Sequence, residues 1–327
     1  MKEVLVTGGL GNIGIKVVDE LLSRGVQVRC LDLKSKANQK IARRYRKKLK
    51  MVWADITDTR SVINATMGVD AVIHTAAILP PFSEQRPQVA EKVNVGGTRN
   101  IINALSQFNP SAQMILASSV SVHGNHLPDH DPGRTVSDPY NPIDHYAKHK
   151  IECEQMLRES KLNWTVLRIS ACVDEKARLL SVKNLKGSVE TFLRVHPMCR
   201  IEYIHPADVA TAMVNAVGNQ QAMGKQFFLG GGIRCQSNWR DLNSIRLEML
   251  GLEKPPIECF GVEGFYTEWL DTNESQQVLN FQNHDLNDYR KELERLFKWP
   301  RRLLIPARPI INRYIWRALS NVSVSAG

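Results

Sequence analysis

Tyr146 and Lys150 stand four residues apart in Tyr146-Ala147-Lys148-His149-Lys150. On a helix that spacing puts both side chains on one face. A free phenol titrates near pH 10, and a nearby ammonium favours the phenolate and lowers that value. The pair is therefore expected to act as a general acid/base near neutral pH. A second group of candidates is Ala117-Ser118-Ser119-Val120-Ser121-Val122-His123-Gly124, which closes the apolar run Gln113–Ser118. A serine hydroxyl at such a strand end can hydrogen-bond a reacting oxygen.

Chemistry of this kind needs a partner for the proton-transfer groups, and the amino-terminal stretch offers one. Thr7-Gly8-Gly9-Leu10-Gly11-Asn12-Ile13-Gly14 follows the apolar run Glu3–Val6 and precedes Ile15–Leu22, where Val17, Val18, Leu21 and Leu22 recur at helical spacing. Glycines permit a tight turn and the close approach of a pyrophosphate, and the following helix presents free N–H groups and the positive end of its dipole. The spacing Gly8-x-x-Gly11-x-x-Gly14 departs from the commoner G-x-G-x-x-G. Asp32 ends a second strand, Val26–Leu33, 18 residues past Gly14. A carboxylate there can accept from both ribose hydroxyls of an adenosine and favours NAD over NADP. Lys34 and Lys36, which follow at once, suit a 2′-phosphate instead. Asp55, just past a third strand at Met51–Trp53, is placed to reach an adenine amino group. Asp58 is either a second candidate there or the cap of the next helix. Ala76 and Ala77 follow a fourth strand, Val69–Thr75, and are small enough for backbone to lie against a cofactor.

These strands alternate with helical stretches. The pattern predicts an α/β fold, a Rossmann-type doubly wound parallel sheet with its ligand crevice at the carboxyl ends of the strands. The basic stretch Lys36–Lys50, with Ile41, Tyr45 and Leu49 at i, i+4 and i+8, predicts a helix with one apolar seam.

Taken together, these motifs resemble the extended short-chain dehydrogenase/reductase superfamily, in its NAD-dependent epimerase/dehydratase branch. The residues that carry the resemblance are the glycine turn, Asp32, Asp55-Ile56, His74-x-Ala76-Ala77, Asn94-x-x-Gly97-Thr98-x-Asn100, Ser118-Ser119-x-Ser121-Val122-x-Gly124, Tyr146-x-x-x-Lys150, Trp164–Arg168 and Tyr203-Ile204-His205-Pro206-x-Asp208-Val209-Ala210. The resemblance implies that Gly8, Gly11, Asn12, Ile13, Gly14, Asp32, Asp55, Ile56, Ala76 and Ala77 bind NAD, with Ile169 and Ser170 near the nicotinamide. It implies that Tyr146 is the general acid/base and that Lys150 bonds the nicotinamide ribose and tunes Tyr146. Ser119 would polarise the substrate C–O bond, with Ser118 or Ser121 as the alternative, and Ser121 would touch substrate. Asn94 reads as a structural helix residue. Pairing of two copies through the helices that hold Asn94–Leu105 and Tyr146–Leu157 is also implied, so a homodimer is expected.

The chain departs from nucleotide-sugar members of that branch. After the sixth strand it reads Arg168-Ile169-Ser170-Ala171-Cys172-Val173, without the Asn and the Tyr-Gly-Pro found there. Before Asp208 it reads Ile201-Glu202-Tyr203-Ile204-His205, without the arginine that would hold a sugar-nucleotide phosphate, and Arg200 is one residue out of register. The expected substrate is a small molecule, a secondary alcohol or ketone with a substantial apolar part. The expected activity is NAD-dependent hydride transfer. A sugar epimerase or dehydratase that returns the hydride internally is the alternative.

Composition narrows the classes further. The chain has 327 residues and a formal charge of +10, but residues 33–54 hold nine Lys/Arg and no acid, and residues 295–327 hold seven and no acid. Without those two patches the remainder is net acidic, and the basic stretches lack interleaved stacking aromatics, which argues against nucleic-acid binding. The six cysteines are scattered without a C-x-x-C pair, so no metal site or disulfide framework is expected. The first strand begins next to Met1 and no run approaches the roughly 18 apolar residues of a membrane span, so a cytoplasmic location without a signal peptide is expected. The expected organisation is a Rossmann domain of residues 1–173 and about 200–229, and a smaller substrate part of about 174–199 and 230–300. Pro300, Pro306 and Pro309 should break the chain after the last helix, Asn287–Phe297, where a basic amphipathic tail, 301–327, begins. That tail is expected to pack on its own domain or on a dimer partner, or else to make a weak contact with an anionic membrane surface.

Overall fold

The computed structural model describes residues 3–128, 133–173, 192–304 and 308. Seven parallel strands form the main layer. They are β1 (Glu3–Thr7), β2 (Gln27–Asp32), β3 (Leu49–Trp53), β4 (Ala71–His74), β5 (Gln113–Ser119), β6 (Asn163–Ile169) and, after a short strand described below, β8 (Lys225–Leu229). Their order in space is β3-β2-β1-β4-β5-β6-β8. The chain runs outward from β1 to β3, then returns to pair β4 on the other side of β1, with Val4 beside Ala71 and Thr7 beside His74. That reversal opens a crevice above the carboxyl ends of β1 and β4.

The strands read as continuous apolar runs because helices cover both faces of the sheet. On one face α1 (Asn12–Ser23) packs Val17, Val18 and Leu21 onto Val4, Val6 and Val28. On the other, Val62 and Ala65 of a helix at Thr59–Thr66, Ile101 and Leu105 of a helix at Gly97–Phe108, and Cys153 and Leu157 of a helix at His145–Glu159 bury Leu5, Val72 and Met114. Each of those side chains is nearly or fully withdrawn from water, and together they supply the dominant favourable term in folding.

The basic stretch after β2 corrects the expected single helix. The helix spans Lys36–Ala42 only, a tighter turn covers Arg46–Lys48, and Leu49 opens β3, paired with Val28. Ile41 and Tyr45 do face the core, but Leu49 gains a strand partner as well as burial, and the ladder takes it from the helix.

The smaller part is built on β7 (Arg200–Glu202), antiparallel to β9 (Gln236–Asn238), while a helix at Pro206–Ala216 and β8 belong to the main layer. Its core is rich in aromatics: Tyr203, Trp239, Tyr289 and Phe297, with Phe192, Phe260 and Phe265 against them. The last helix runs Leu286–Leu304 and so continues through Pro300, contrary to the expected break. A proline removes one N–H and so one helical bond, and the helix goes on past it here. The tail beyond residue 308 lies outside the described residues.

Candidate active site

The glycine turn sits over the crevice, and its geometry explains its composition. Gly8 has φ +63°, and a Cβ there would lie 2.8 Å from the Ala76 Cα. A Cβ on Gly14 would lie 2.2 Å from the Gly8 carbonyl oxygen. The first turn of α1 therefore approaches the β1 loop so closely that only hydrogen fits, and that leaves room for an anion against the helix N-terminus.

From this turn a cavity of about 440 Å³ runs across the strand ends. Gly8, Gly11, Asn12, Ile13 and Gly14 line its middle, with Ala76 against Gly8 and Ala77 next to it. Asp32, Asp55 and Ile56 line one end, at β2 and β3, where Asn38 joins them. Tyr146, Lys150 and Ile169 line the other, towards β5 and β6. The carboxylate of Asp32 accepts from the Leu10 N–H at 2.9 Å, the Leu33 N–H at 2.8 Å and Asn38 Nδ2 at 2.9 Å, so it braces the glycine turn from the tip of β2. Asp58 caps the helix at Thr59–Thr66 and leaves the cavity to Asp55.

Tyr146 and Lys150 do share a face of the His145–Glu159 helix. Lys150 Nζ lies 5.6 Å from the Tyr146 ring centroid and donates to the Ala117 carbonyl at 2.6 Å. The expected effect of the lysine on the phenol is not what this structure has. Burial, then the neighbouring Tyr266 and Asp144, pushes the Tyr146 phenol above its ordinary value, and burial pulls the Lys150 ammonium down. Both groups sit in a low-dielectric pocket that disfavours charge, and the lysine spends a donor on a carbonyl rather than on the phenol.

The start of that helix is held from two directions. Asp144 caps it by accepting the Ala147 N–H at 2.7 Å. Glu84, from the segment after β4, accepts the N–H groups of His145 and Tyr146 at 3.0 and 3.2 Å. Further along, Glu154 is fully buried and accepts Ser118 Oγ at 2.5 Å, Tyr140 Oη at 2.7 Å and Arg168 in bidentate fashion, Nε at 3.1 Å and Nη2 at 2.8 Å. Neither glutamate carries a motif, so spacing along the chain gave no signal for either.

Alternation along β5 separates the serines. Ser118 gives its hydroxyl to Glu154, and Ser119 accepts the Ser121 N–H at 3.2 Å. The hydroxyls of Ser121 and Ser170, at the ends of β5 and β6, are buried and have no hydrogen-bond partner among the described residues. Asn94 has the structural task expected of it, because its side chain accepts the Ile78 N–H at 2.7 Å and donates to the Ile78 carbonyl at 3.0 Å. His74, held between Thr7 and Thr98, is kept neutral by burial, with its pKa lowered to about 3.

One group of potential metal ligands occurs among the described residues, His205, Asp208 and His284. The two imidazoles stack with centroids 4.1 Å apart and planes 17° from parallel. Parallel rings cannot both aim an in-plane lone pair at one ion. Asp208 is already taken by His284 Nδ1 and by the N–H groups of Asn283 and His284, and His205 Nε2 bonds Glu292. The cluster ties the last helix to the main layer.

Comparison with known proteins agrees with this geometry. Residues 4–230 match the model of the NAD dependent epimerase/dehydratase family. A 3-beta-hydroxysteroid dehydrogenase of Mycolicibacterium neoaurum is 32% identical over 160 residues, which cover 47% of this chain and 42% of that protein. An N-acetyl-alpha-D-glucosaminyl-diphospho-ditrans,octacis-undecaprenol 4-epimerase of Escherichia coli O157:H7 is 32% identical over 135 residues, 38% of each chain. The chain thus matches less than half the length of these curated relatives. Among solved structures, a UDP-glucose-4-epimerase from Stenotrophomonas maltophila with bound NAD superposes with a TM-score of 0.73 over 93% of this chain and 99% of that one, at 23% identity. A short-chain dehydrogenase/reductase superfamily protein from Agrobacterium tumefaciens with bound NAD gives 0.71 over 94% and 99%, at 20% identity. These two share the fold. By the match over residues 4–230, the chain belongs to the NAD dependent epimerase/dehydratase family.

Proposed function

We propose that this protein is an NAD-dependent oxidoreductase acting on a secondary alcohol or ketone, with Tyr146 as general acid/base. The observation that carries the reading is one cavity with a glycine cradle at its middle, the Asp32 carboxylate at one end and the Tyr146–Lys150 pair at the other. The residues present fit NAD: Gly8 and Gly14 leave no space for side chains but leave space for a pyrophosphate, and Asp32 is an acceptor for ribose hydroxyls. NAD, when bound, supplies the hydride acceptor or donor.

The chain's own groups do the rest. Asp32 would read the adenosine ribose and repel a 2′-phosphate. Asp55, Ile56, Ala76 and Ala77 would flank the adenine and the nucleotide backbone. Lys150, held by Ala117, would bond the second ribose, and Ile169 and Ser170 would lie near the nicotinamide. The reacting oxygen would sit between the Ser119 and Tyr146 hydroxyls, where Tyr146 takes the proton of an alcohol or gives one to a ketone. Ser121 and Ser170, buried without a partner among the described residues, are donors that bound groups would satisfy. The missing phosphate arginine supports a substrate with a large apolar portion over a nucleotide sugar. The steroid dehydrogenase among the relatives points the same way.

A sugar epimerase or dehydratase with internal hydride return is the second reading, favoured by the match to the undecaprenol-linked 4-epimerase. Incubation with NAD and a hydroxysteroid panel separates the two, because net NADH accumulates only in the first. A homodimer through the helices at Gly97–Phe108 and His145–Glu159 belongs to the same proposal, and sedimentation at rising concentration tests it.

A further inference from the structure

β3 (Leu49–Trp53) is an edge of the seven-stranded sheet and pairs with β2 on one side only. The Ala54 N–H donates to the Asp32 carbonyl at 3.1 Å. By the alternation of a parallel ladder, Val52 and Lys50 also turn their backbone groups towards β2, and Met51 and Trp53 turn theirs outward. Neither Met51 nor Trp53 has a backbone hydrogen-bond partner among the described residues. Met51, Val52 and Trp53 each keep part of their surface in water, and Lys50 is exposed, so this edge is open. The opposite edge is closed, since Phe227, Phe228 and Leu229 of β8 are buried.

The chain that leads into β3 is cationic. Arg43, Arg44, Lys47 and Lys48 are exposed, and none of them pairs with a carboxylate among the described residues. Lys50 is 66% exposed and reaches Glu3 at 3.5 Å, but Glu3 is already held by Arg29 at 2.6 Å. Cations on a strand edge ordinarily guard it against pairing. These repel any strand of like charge, a second copy of this edge included, and leave the edge open to a strand of opposite charge.

The kind of partner follows from what the surface lacks and what it offers. Tyr45 and Trp53 pack against the core, and Tyr45 Oη is bonded to Asp19 at 2.8 Å, so no aromatic face is free to stack a base. Leu33 is the one exposed large apolar side chain among the described residues of 33–54, which leaves a lipid surface without anchors beside the cations. Outward N–H and C=O groups are met by another polypeptide in extended form. We propose that the β3 edge docks an extended acidic segment of a partner protein, which adds to the sheet beside Met51 and Trp53 while its carboxylates meet Arg43, Arg44, Lys47, Lys48 and Lys50. Nothing in this docking depends on the chemistry of the cavity.

The test is fluorescence anisotropy of a short labelled peptide of alternating Glu and Val, titrated with the full chain. The wild type should bind it saturably, and more weakly as salt is added. The same peptide with Pro in place of Val keeps the charge but cannot extend a ladder, so it should bind at least about tenfold more weakly. A variant carrying Arg43→Glu, Arg44→Glu, Lys47→Glu and Lys48→Glu should lose at least about tenfold in affinity for the Val peptide. All four side chains are exposed, so its melting temperature should stay near that of the wild type. If that variant does not fold, Lys47→Glu with Lys48→Glu reads the same contact. No saturable binding by the wild type overturns the proposal, as does an affinity unchanged by charge reversal. Equal binding of the Pro peptide would leave charge attraction without strand addition and also overturns it. Binding to phosphatidylcholine vesicles that contain phosphatidylserine, with none to the peptide, would give the surface to a membrane instead. A dimer of the wild type in sedimentation that charge reversal abolishes would give the edge to a second copy, and the proposal would fall.

Discussion

The ammonium of Lys150 is bonded to the carbonyl oxygen of Ala117 at 2.6 Å, across the gap between the helix at His145–Glu159 and the carboxyl end of β5. That bond anchors the lysine beside Tyr146 and leaves its remaining donors for the cavity. It also separates two ideas that a Tyr-x-x-x-Lys motif runs together. The lysine is positioned, while burial, with Tyr266 and Asp144 nearby, raises the phenol above its ordinary value.

A pH dependence follows. Burial raises the Tyr146 phenol, so it stays protonated through neutrality. Alcohol oxidation needs the phenolate, and its kcat/KM should climb by about one decade per pH unit on the alkaline side. Ketone reduction needs the phenol and should stay level over the same range, falling only at strongly alkaline pH. Initial rates in both directions across pH check this. An oxidation rate independent of pH would remove Tyr146 from the proton transfer.

Asp32 should set the dinucleotide preference. Asp32 lines the cavity as an acceptor for ribose hydroxyls, so NAD should bind more tightly than NADP. Asp32→Asn should lose about 1.5–3 kcal/mol of NAD binding, roughly 10- to 100-fold in Kd, and should narrow the preference. Calorimetric titration with both dinucleotides measures it. Tighter NADP binding by the wild type would hand the ribose end to Lys34 and Lys36.

The glycine cradle makes a steric prediction. Gly14→Ala places a methyl 2.2 Å from the Gly8 carbonyl oxygen, a distance no real contact tolerates. The turn or α1 must shift, and dinucleotide affinity should fall at least about 100-fold, since the close approach of backbone to the pyrophosphate is lost. Near-normal affinity would mean that the pyrophosphate lies elsewhere.

Glu154 carries a stability prediction. Burial pushes its carboxyl up, but the hydrogen bonds and charge of Arg168, with those of Ser118 and Tyr140, win and hold it below the usual carboxylate value of 4.5. A depressed carboxylate stabilises the fold at pH above that value and loses the contribution as pH falls below it. Glu154→Gln leaves the Arg168 charge buried without its counter-charge, at about 3–5 kcal/mol. The variant should melt well below the wild type at neutral pH, and the gap should close in acid. Melting curves from neutral to acid pH read it directly, and a constant gap would contradict the assignment.

The legible parts of the sequence were those in which chemistry and structure repeat over short spacing. The turn at Gly8–Gly14, Asp32 at the tip of β2 and the Tyr146–Lys150 pair each lie within one element or one connection, and all of them line the cavity. Glu84 and Glu154 were not legible, because each acts through partners 61 and 36 residues away in sequence, His145 and Ser118. The helix expected over Lys36–Lys50 failed for a physical reason of the same kind. Ile41 and Tyr45 keep the apolar seam, but the Leu49–Val28 pairing belongs to the sheet and no local periodicity reveals it.

The most direct measurement is NADH formation from NAD and a panel of hydroxysteroids, with wild type beside Tyr146→Phe. The variant loses one hydroxyl and keeps the ring that fills the pocket, so NAD should raise both melting temperatures alike. The wild type should accumulate NADH with at least one alcohol, and Tyr146→Phe should be slower by about 100-fold or more. A variant that turned over as fast as the wild type while binding NAD equally well would contradict the account.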